Sequence, residues 1–219
     1  MILQVKNLKK SFAQGKKQID ALAGISFSVD QQQSLAIVGP SGSGKSTLIS
    51  LLAGLDQASE GEILFEQSKL HQMSEAELNR FRSQNIGIVF QQFHLMPHLS
   101  AEENVALPLE ILGDDQPLEK AQDMLKRVGL GERTTHRPHQ LSCGECQRVA
   151  IARACVTRPK VLLADEPSGN LDTETGKRVM DILFDMVKET GTTLILITHD
   201  DSLAMRCQKQ LKIVGGLLQ

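Results

Sequence analysis

Apolar and polar positions change period several times along the chain, and each change marks an element. Residues 3–8, 20–23 and 25–29 have the short apolar rhythm of strands, with Gln14-Gly15-Lys16-Lys17 as a hairpin turn between the first two. Apolar runs at 34–38, 86–90, 161–165 and 193–198 have the pattern of strands buried on both faces of a parallel sheet, and 210–214 would join them as a further strand. Helical spacing governs 47–55, 101–111, 118–128, 149–156 and 174–189. Ser100 stands at an N-cap position, and Gly113-Asp114-Asp115 breaks the spacing before 118. The order predicts an α/β fold with a mostly parallel core sheet, an N-terminal antiparallel β-layer and an inserted helical subdomain at 95–158. The core would be built from 1–94 and 159–219 as parts of one domain spanning 1–219.

Composition narrows this little. At 219 residues and 41% hydrophobic content the chain can bury one substantial core. Its apolar runs are far shorter than the roughly 20 residues of a membrane helix, and no secretory pattern precedes Leu3, which predicts a chain soluble on its own. A net charge of −2 without a dense basic run argues against nucleic acid as the main partner.

The candidate chemistry starts at Gly39-Pro40-Ser41-Gly42-Ser43-Gly44-Lys45-Ser46-Thr47, which fits the G-x-x-x-x-G-K-[ST] phosphate loop between a predicted strand and a predicted helix. Backbone N–H groups at a helix N-terminus surround phosphates there, Lys45 brings a point charge to the β/γ oxygens, and the Ser46 hydroxyl is a ligand for Mg²⁺. The motif predicts binding of a nucleoside triphosphate. The run 161–165 ends in Asp165 and Glu166, a pair that suits metal support by Asp165 and polarisation of an attacking water by Glu166.

With Leu141-Ser142-Cys143-Gly144-Glu145-Cys146-Gln147-Arg148 the chain resembles the ABC ATPase family, whose signature is Leu-Ser-Gly-Gly-Gln/Glu followed by Gln-Gln-Arg. Cys143 departs from the first signature glycine and Cys146 from a glutamine. In family order, Gln91 resembles the Q-loop residue, Ser168-Gly169-Asn170-Leu171-Asp172 the D-loop and His199 the switch histidine, and Phe12 stands where an aromatic stacks on adenine. The stretches 86–97 and 164–172 are similar to the branch that contains the LolD, MacB and YbbA ATPases, and the ending from Arg206 is similar to YbbA.

The resemblance implies a P-loop NTPase of the ABC type that hydrolyses ATP with Mg²⁺. ATP would be held by Phe12, the loop residues Gly39 to Thr47, and, from a second subunit, Ser142 and the Gly144 backbone, with the signature helix dipole assisting and Asp172 crossing the interface. Glu166, His199, Gln91 and Lys45 would be the catalytic group, and Ser46, Gln91 and Asp165 the metal ligands. It further implies a homodimer closing on ATP, a separate integral membrane permease subunit, and a cytoplasmic location on the inner face of the membrane through that subunit. Phe93, Leu95, Met96 and Leu99 would supply the docking groove or, alternatively, pack beneath the helical subdomain.

The rival is a soluble ABC ATPase working on nucleic acid or ribosomes; such proteins carry tandem units, a coiled-coil insertion or basic arms, and none is present in this sequence. A GTPase would carry Asn-Lys-x-Asp, which is also missing. Cys143 and Cys146 have C-x-x-C spacing at a helix start, a setting that lowers thiol pKa and would suit a redox switch; simple substitution is the alternative. No second ligand pair accompanies them to make a zinc site.

Overall fold

The computed structural model describes residues 1–15 and 17–219; Lys16, part of the expected hairpin turn, lies outside the described residues. In chain order the elements are β1 (Leu3–Gln14), β2 (Lys17–Val29), β3 (Ser34–Val38), α1 (Lys45–Leu52), β4 (Glu60–Phe65), β5 (Ser68–Lys69), α2 (Glu75–Asn85), β6 (Ile86–Val89), α3 (Ala101–Ile111) and α4 (Pro117–Arg127). They continue with α5 (Cys143–Cys155), β7 (Val161–Asp165), α6 (Thr173–Thr190), β8 (Thr193–Ile197), α7 (Asp201–Ala204), β9 (Lys209–Val214) and β10 (Leu217–Leu218). Two compact units result, one formed by 1–82 with 193–219, the other by 83–192.

In the first unit an antiparallel sheet has the order β2-β1-β4-β5. The expected break between 20–23 and 25–29 does not exist: β2 runs through it, with Gly24 at φ 115° facing a bulge at Asn7, φ 45°. The bulge breaks the alternation while the pairing with β1 continues on both sides. A parallel set places β3 between β8 and β9, and β10 folds back antiparallel on β9. Leu35, Ala36, Ile37 and Leu194 to Ile197 are fully buried, as continuous apolar runs require.

In the second unit β6 and β7 pair in parallel. Ser100 caps α3, its hydroxyl accepting from Glu103 N–H while the Glu103 carboxylate accepts from Ser100 N–H, a reciprocal box that fixes the helix start. The loop before α5 completes that start: Ala101 N–H donates to His136 O and Glu102 N–H to Thr134 O. A similar box at Ser142 and Glu145 begins α5 at Cys143, six positions before the apolar spacing begins at 149. α6, capped by Asp172, is amphipathic and buries Val179, Met180, Leu183 and Met186. Among the described residues no helix is long and apolar enough to cross a membrane.

Candidate nucleotide site

The first unit carries the phosphate loop. Gly44 caps α1 with φ 100°, a conformation that favours glycine, and a Cβ there would lie 2.3 Å from Ala21 O. Unlike α5 and α6, α1 has neither a capping side chain nor an acidic residue in its first turn, which leaves its first N–H groups without a side-chain partner, as a helix start that takes an anion requires. Lys45 is buried, with Nζ 2.9 Å from both Gly39 O and Pro40 O, two of its three donors used on the loop itself. The buried Ser43 hydroxyl has no hydrogen-bond partner. Ser41, Gly42 and Ser46 are exposed, and Thr47 is half-buried. The turn after β9 braces the loop: Gly216 N–H donates to Ser43 O, and Gly216 O accepts from Ala23 N–H.

Phe12 is 44% exposed on β1, with the Lys10 ammonium 4.9 Å from its ring centroid, while that ammonium also donates to Asp56 and Gln57 O. His199 follows β8 and is exposed beside Asp200, whose carboxyl sits below its ordinary range chiefly because the Ser202 hydroxyl donates to it.

The second unit carries the other motifs. β7 ends at the half-buried Asp165, and Glu166 follows at φ 45°, a left-handed conformation uncommon for a residue other than glycine. Gly169 N–H donates to Glu166 O at 2.9 Å, closing a tight turn that leads to Asn170. Gln91 meets this turn. Asn170 Nδ2 donates to Gln91 O at 2.9 Å and Gln91 Nε2 donates to Asn170 Oδ1 at 3.3 Å. A Cβ on residue 169 would lie 2.8 Å from Gln91 Nε2, so a larger residue there would push the carboxamide from its place. Asn170 was not among the residues singled out from sequence; its only signal was its place in the D-loop motif.

Around the signature, Ser142 N–H and hydroxyl both donate to Glu145 Oε2, at 2.8 and 2.9 Å, and Glu145 N–H donates to Ser142 Oγ at 3.3 Å. A carboxylate therefore sits at the helix start whose dipole is expected to assist in binding ATP. Cys143 is the first residue of α5, exposed and not at positive φ. Gly144 has the tighter requirement, since a Cβ there would lie 2.4 Å from Thr175 Cγ2, and Thr175 N–H caps onto Asp172 at 3.0 Å. Signature and D-loop helix starts are therefore packed together.

Further along α5 the buried Gln147 donates to Phe90 O at 3.4 Å, and Arg153 donates to Phe93 O and His94 O at 2.8 and 2.6 Å, holding the segment after β6 by its backbone. In that segment Phe93, Leu95 and Leu99 are half-buried and Met96 is 43% exposed. Cys146 is buried with its thiol 3.5 Å from Pro138 O, and burial pushes its pKa up to about 11, opposite to the shift a reactive thiolate needs.

The donors proposed for Mg²⁺ are a hydroxyl, a carboxamide oxygen and a carboxylate, hard oxygen atoms that fit this ion. Among the described residues no His, Cys, Asp and Glu cluster forms a metal cage, so triphosphate oxygens would complete the shell.

The chain is similar to known proteins over its full length. The family model of the ABC transporter matches residues 22–169. The ABC transporter ATP-binding protein YbbA of Escherichia coli K12 is 48% identical over 220 residues, covering 100% of this chain and 96% of that relative. The lipoprotein-releasing system ATP-binding protein LolD of Syntrophus aciditrophicus is 45% identical over 217 residues, covering 98% and 97%. Among solved structures, the dimeric post-hydrolysis state of the ATP-binding cassette MJ0796 with ADP and Pi matches with a TM-score of 0.92 at 36% identity, covering 100% of this chain and 97% of that one.

Proposed function

The chain belongs to the ABC transporter family as an ATP-binding and ATP-hydrolysing subunit, and from that premise we propose that two copies close head to tail on two ATP molecules and so drive a separate integral membrane subunit. The observation that carries this reading is the uncapped start of α1 with Lys45 and the unpartnered Ser43 hydroxyl: a triphosphate satisfies the free N–H groups, the lysine and the hydroxyl at once. Phe12 stacks on adenine, and the partner's signature closes over the γ-phosphate through its serine hydroxyl and the N–H of the glycine two residues on. Ser46, Gln91 and Asp165 hold Mg²⁺, which when bound neutralises charge developing on the phosphate oxygens.

Glu166 orients and polarises the attacking water as general base, with His199 and Gln91 sensing the γ-phosphate and Asp172 reaching across the dimer. Because ATP favours the closed pair, binding shifts the population toward closure and hydrolysis releases it. Phe93, Leu95, Met96 and Leu99, in the helical subdomain of residues 95–158 and the segment leading into it, form the surface for a short helix of the membrane subunit. That places the protein on the cytoplasmic side of the membrane, with cargo selected by the partner and no nucleic acid involved. The branch's transport chemistry, export or lipoprotein release, or force transmission without transport, is then set by that partner.

Size-exclusion chromatography of Glu166→Gln with and without Mg-ATP tests the reading. A dimer that forms only with ATP and turns over negligibly is expected; a Gln variant that hydrolyses ATP at the wild-type rate removes Glu166 from its role.

A further inference from the structure

Ser142 must offer its hydroxyl to an anion, yet that hydroxyl lies 2.9 Å from the Glu145 carboxylate. A carboxylate this close to a docking γ-phosphate opposes it unless its charge is compensated. The oxygen of Glu145 not used by the capping box, Oε1, faces Arg133 Nε at 3.5 Å. Arg133 is set in place by its surroundings: its Nη1 contacts His136 Nε2 at 3.0 Å, and its backbone O accepts His136 N–H. Thr134 O and His136 O in the same loop accept the first N–H groups of α3. Arg148 also lies near Glu145, with its Nη1 donating to Val128 O and Gly129 O at 2.9 and 3.2 Å. The Glu145 carboxyl is held below its ordinary range, first by the Ser142 N–H, against an opposing effect of burial, and then by the Ser142 hydroxyl and the two guanidiniums.

We propose that Arg133 is a positioning residue of the ATP-closed dimer: it neutralises Glu145, so that the Ser142 hydroxyl can be presented to the γ-phosphate held by the partner. This rests on the head-to-tail reading above. The role is electrostatic and passes through Glu145, which gives it a distinctive signature. A glutamine at 145 keeps an oxygen to accept from Ser142 and carries no charge to compensate, so it removes the need for Arg133.

The test measures the ATP concentration that half-dimerises the Glu166→Gln protein, by light scattering, with Arg133→Ala, Arg133→Gln and each combined with Glu145→Gln. A half-exposed charge pair is worth about threefold per site, and two sites compound to about tenfold. Because each dimer closes on two ATP molecules, Arg133→Ala and Arg133→Gln should raise the half-dimerising ATP concentration by about the square root of that, about threefold, and less in concentrated salt. Adding Glu145→Gln should restore it to within about twofold of the parent. Circular dichroism should show every variant folded alike.

A shift below twofold overturns the proposal, and so does a full shift that persists with Glu145→Gln, which would make the ion pair a structural brace. If the Arg133-intact Glu166→Gln chain stays monomeric with ATP, the head-to-tail reading itself fails, and the proposal with it.

Discussion

Asn170 and Gln91 hold each other by two reciprocal hydrogen bonds across 79 positions of sequence, one from side chain to backbone and one between the two carboxamides. The second bond uses Gln91 Nε2 and leaves Oε1 as the atom for the metal role proposed above. Because the turn from Glu166 to Gly169 runs directly into Asn170, the water-polarising and metal-facing groups proposed here share one support. Asn170→Ala should therefore raise the Mg²⁺ concentration needed for tight binding of a fluorescent ATP analogue, by about threefold to tenfold for the loss of one to two hydrogen bonds. Metal-free nucleotide binding should stay unchanged. Equal weakening with and without Mg²⁺ would show that Asn170 supports the loop generally.

Cys143→Gly should leave the ATPase rate within about twofold of wild type, as for other exposed substitutions. Position 143 is the first residue of α5, exposed and free of positive φ, so the family's glycine there meets no conformational demand in this chain. Steady-state phosphate release decides it, and a large loss would show that the thiol contributes to the closed dimer.

Three buried thiols make stability fall in alkali. Burial raises the pKa from 9.0 to about 11 for Cys146 and Cys207 and to about 12 for Cys155. Above pH 9 the unfolded chain loses these protons while the folded chain keeps them, so stability is full below pH 9 and declines as pH rises toward 11 to 12. Each thiol contributes up to about 1.4 kcal/mol per pH unit in that window. Urea unfolding at pH 8, 9 and 10 should show the decline, with a shallower slope for Cys155→Ala; slopes that match would assign the loss to other groups.

Met96→Asp should fold and bind ATP normally, because the side chain is 43% exposed, while co-purification with the membrane subunit falls sharply. Phe93→Asp should act in the same direction with some loss of stability, since Phe93 is half-buried. Undiminished co-purification of folded Met96→Asp would place the docking surface elsewhere.

Much of the fold was legible because its strands are continuous apolar runs, as at 34–38 and 193–198, and because Ser100 advertises the start of α3. What escaped had weak patterns. β4 begins Glu60-Gly61-Glu62, poor strand formers, and α2 has no fully buried residue and so no apolar stripe. The start of α5 was hidden from periodicity by Cys143, Gly144, Glu145 and Cys146, although Ser142 with Glu145 three places on spelled a capping box. The motifs named the candidate site residues, but the supports of those residues, Asn170 for Gln91 and Arg133 for Glu145, are contacts between segments that no local pattern encodes.

The left-handed backbone at Glu166 joins strain and the proposed chemistry at one position. A β-carbon in that conformation costs about 1 kcal/mol relative to glycine, and the added freedom of glycine in the unfolded chain costs a similar amount, so Glu166→Gly should melt within a few degrees of the wild type while turning over no ATP. Glu166→Gln keeps the strained backbone and removes only the charge. Comparing the two variants separates the energy stored in the turn from the role proposed for the carboxylate.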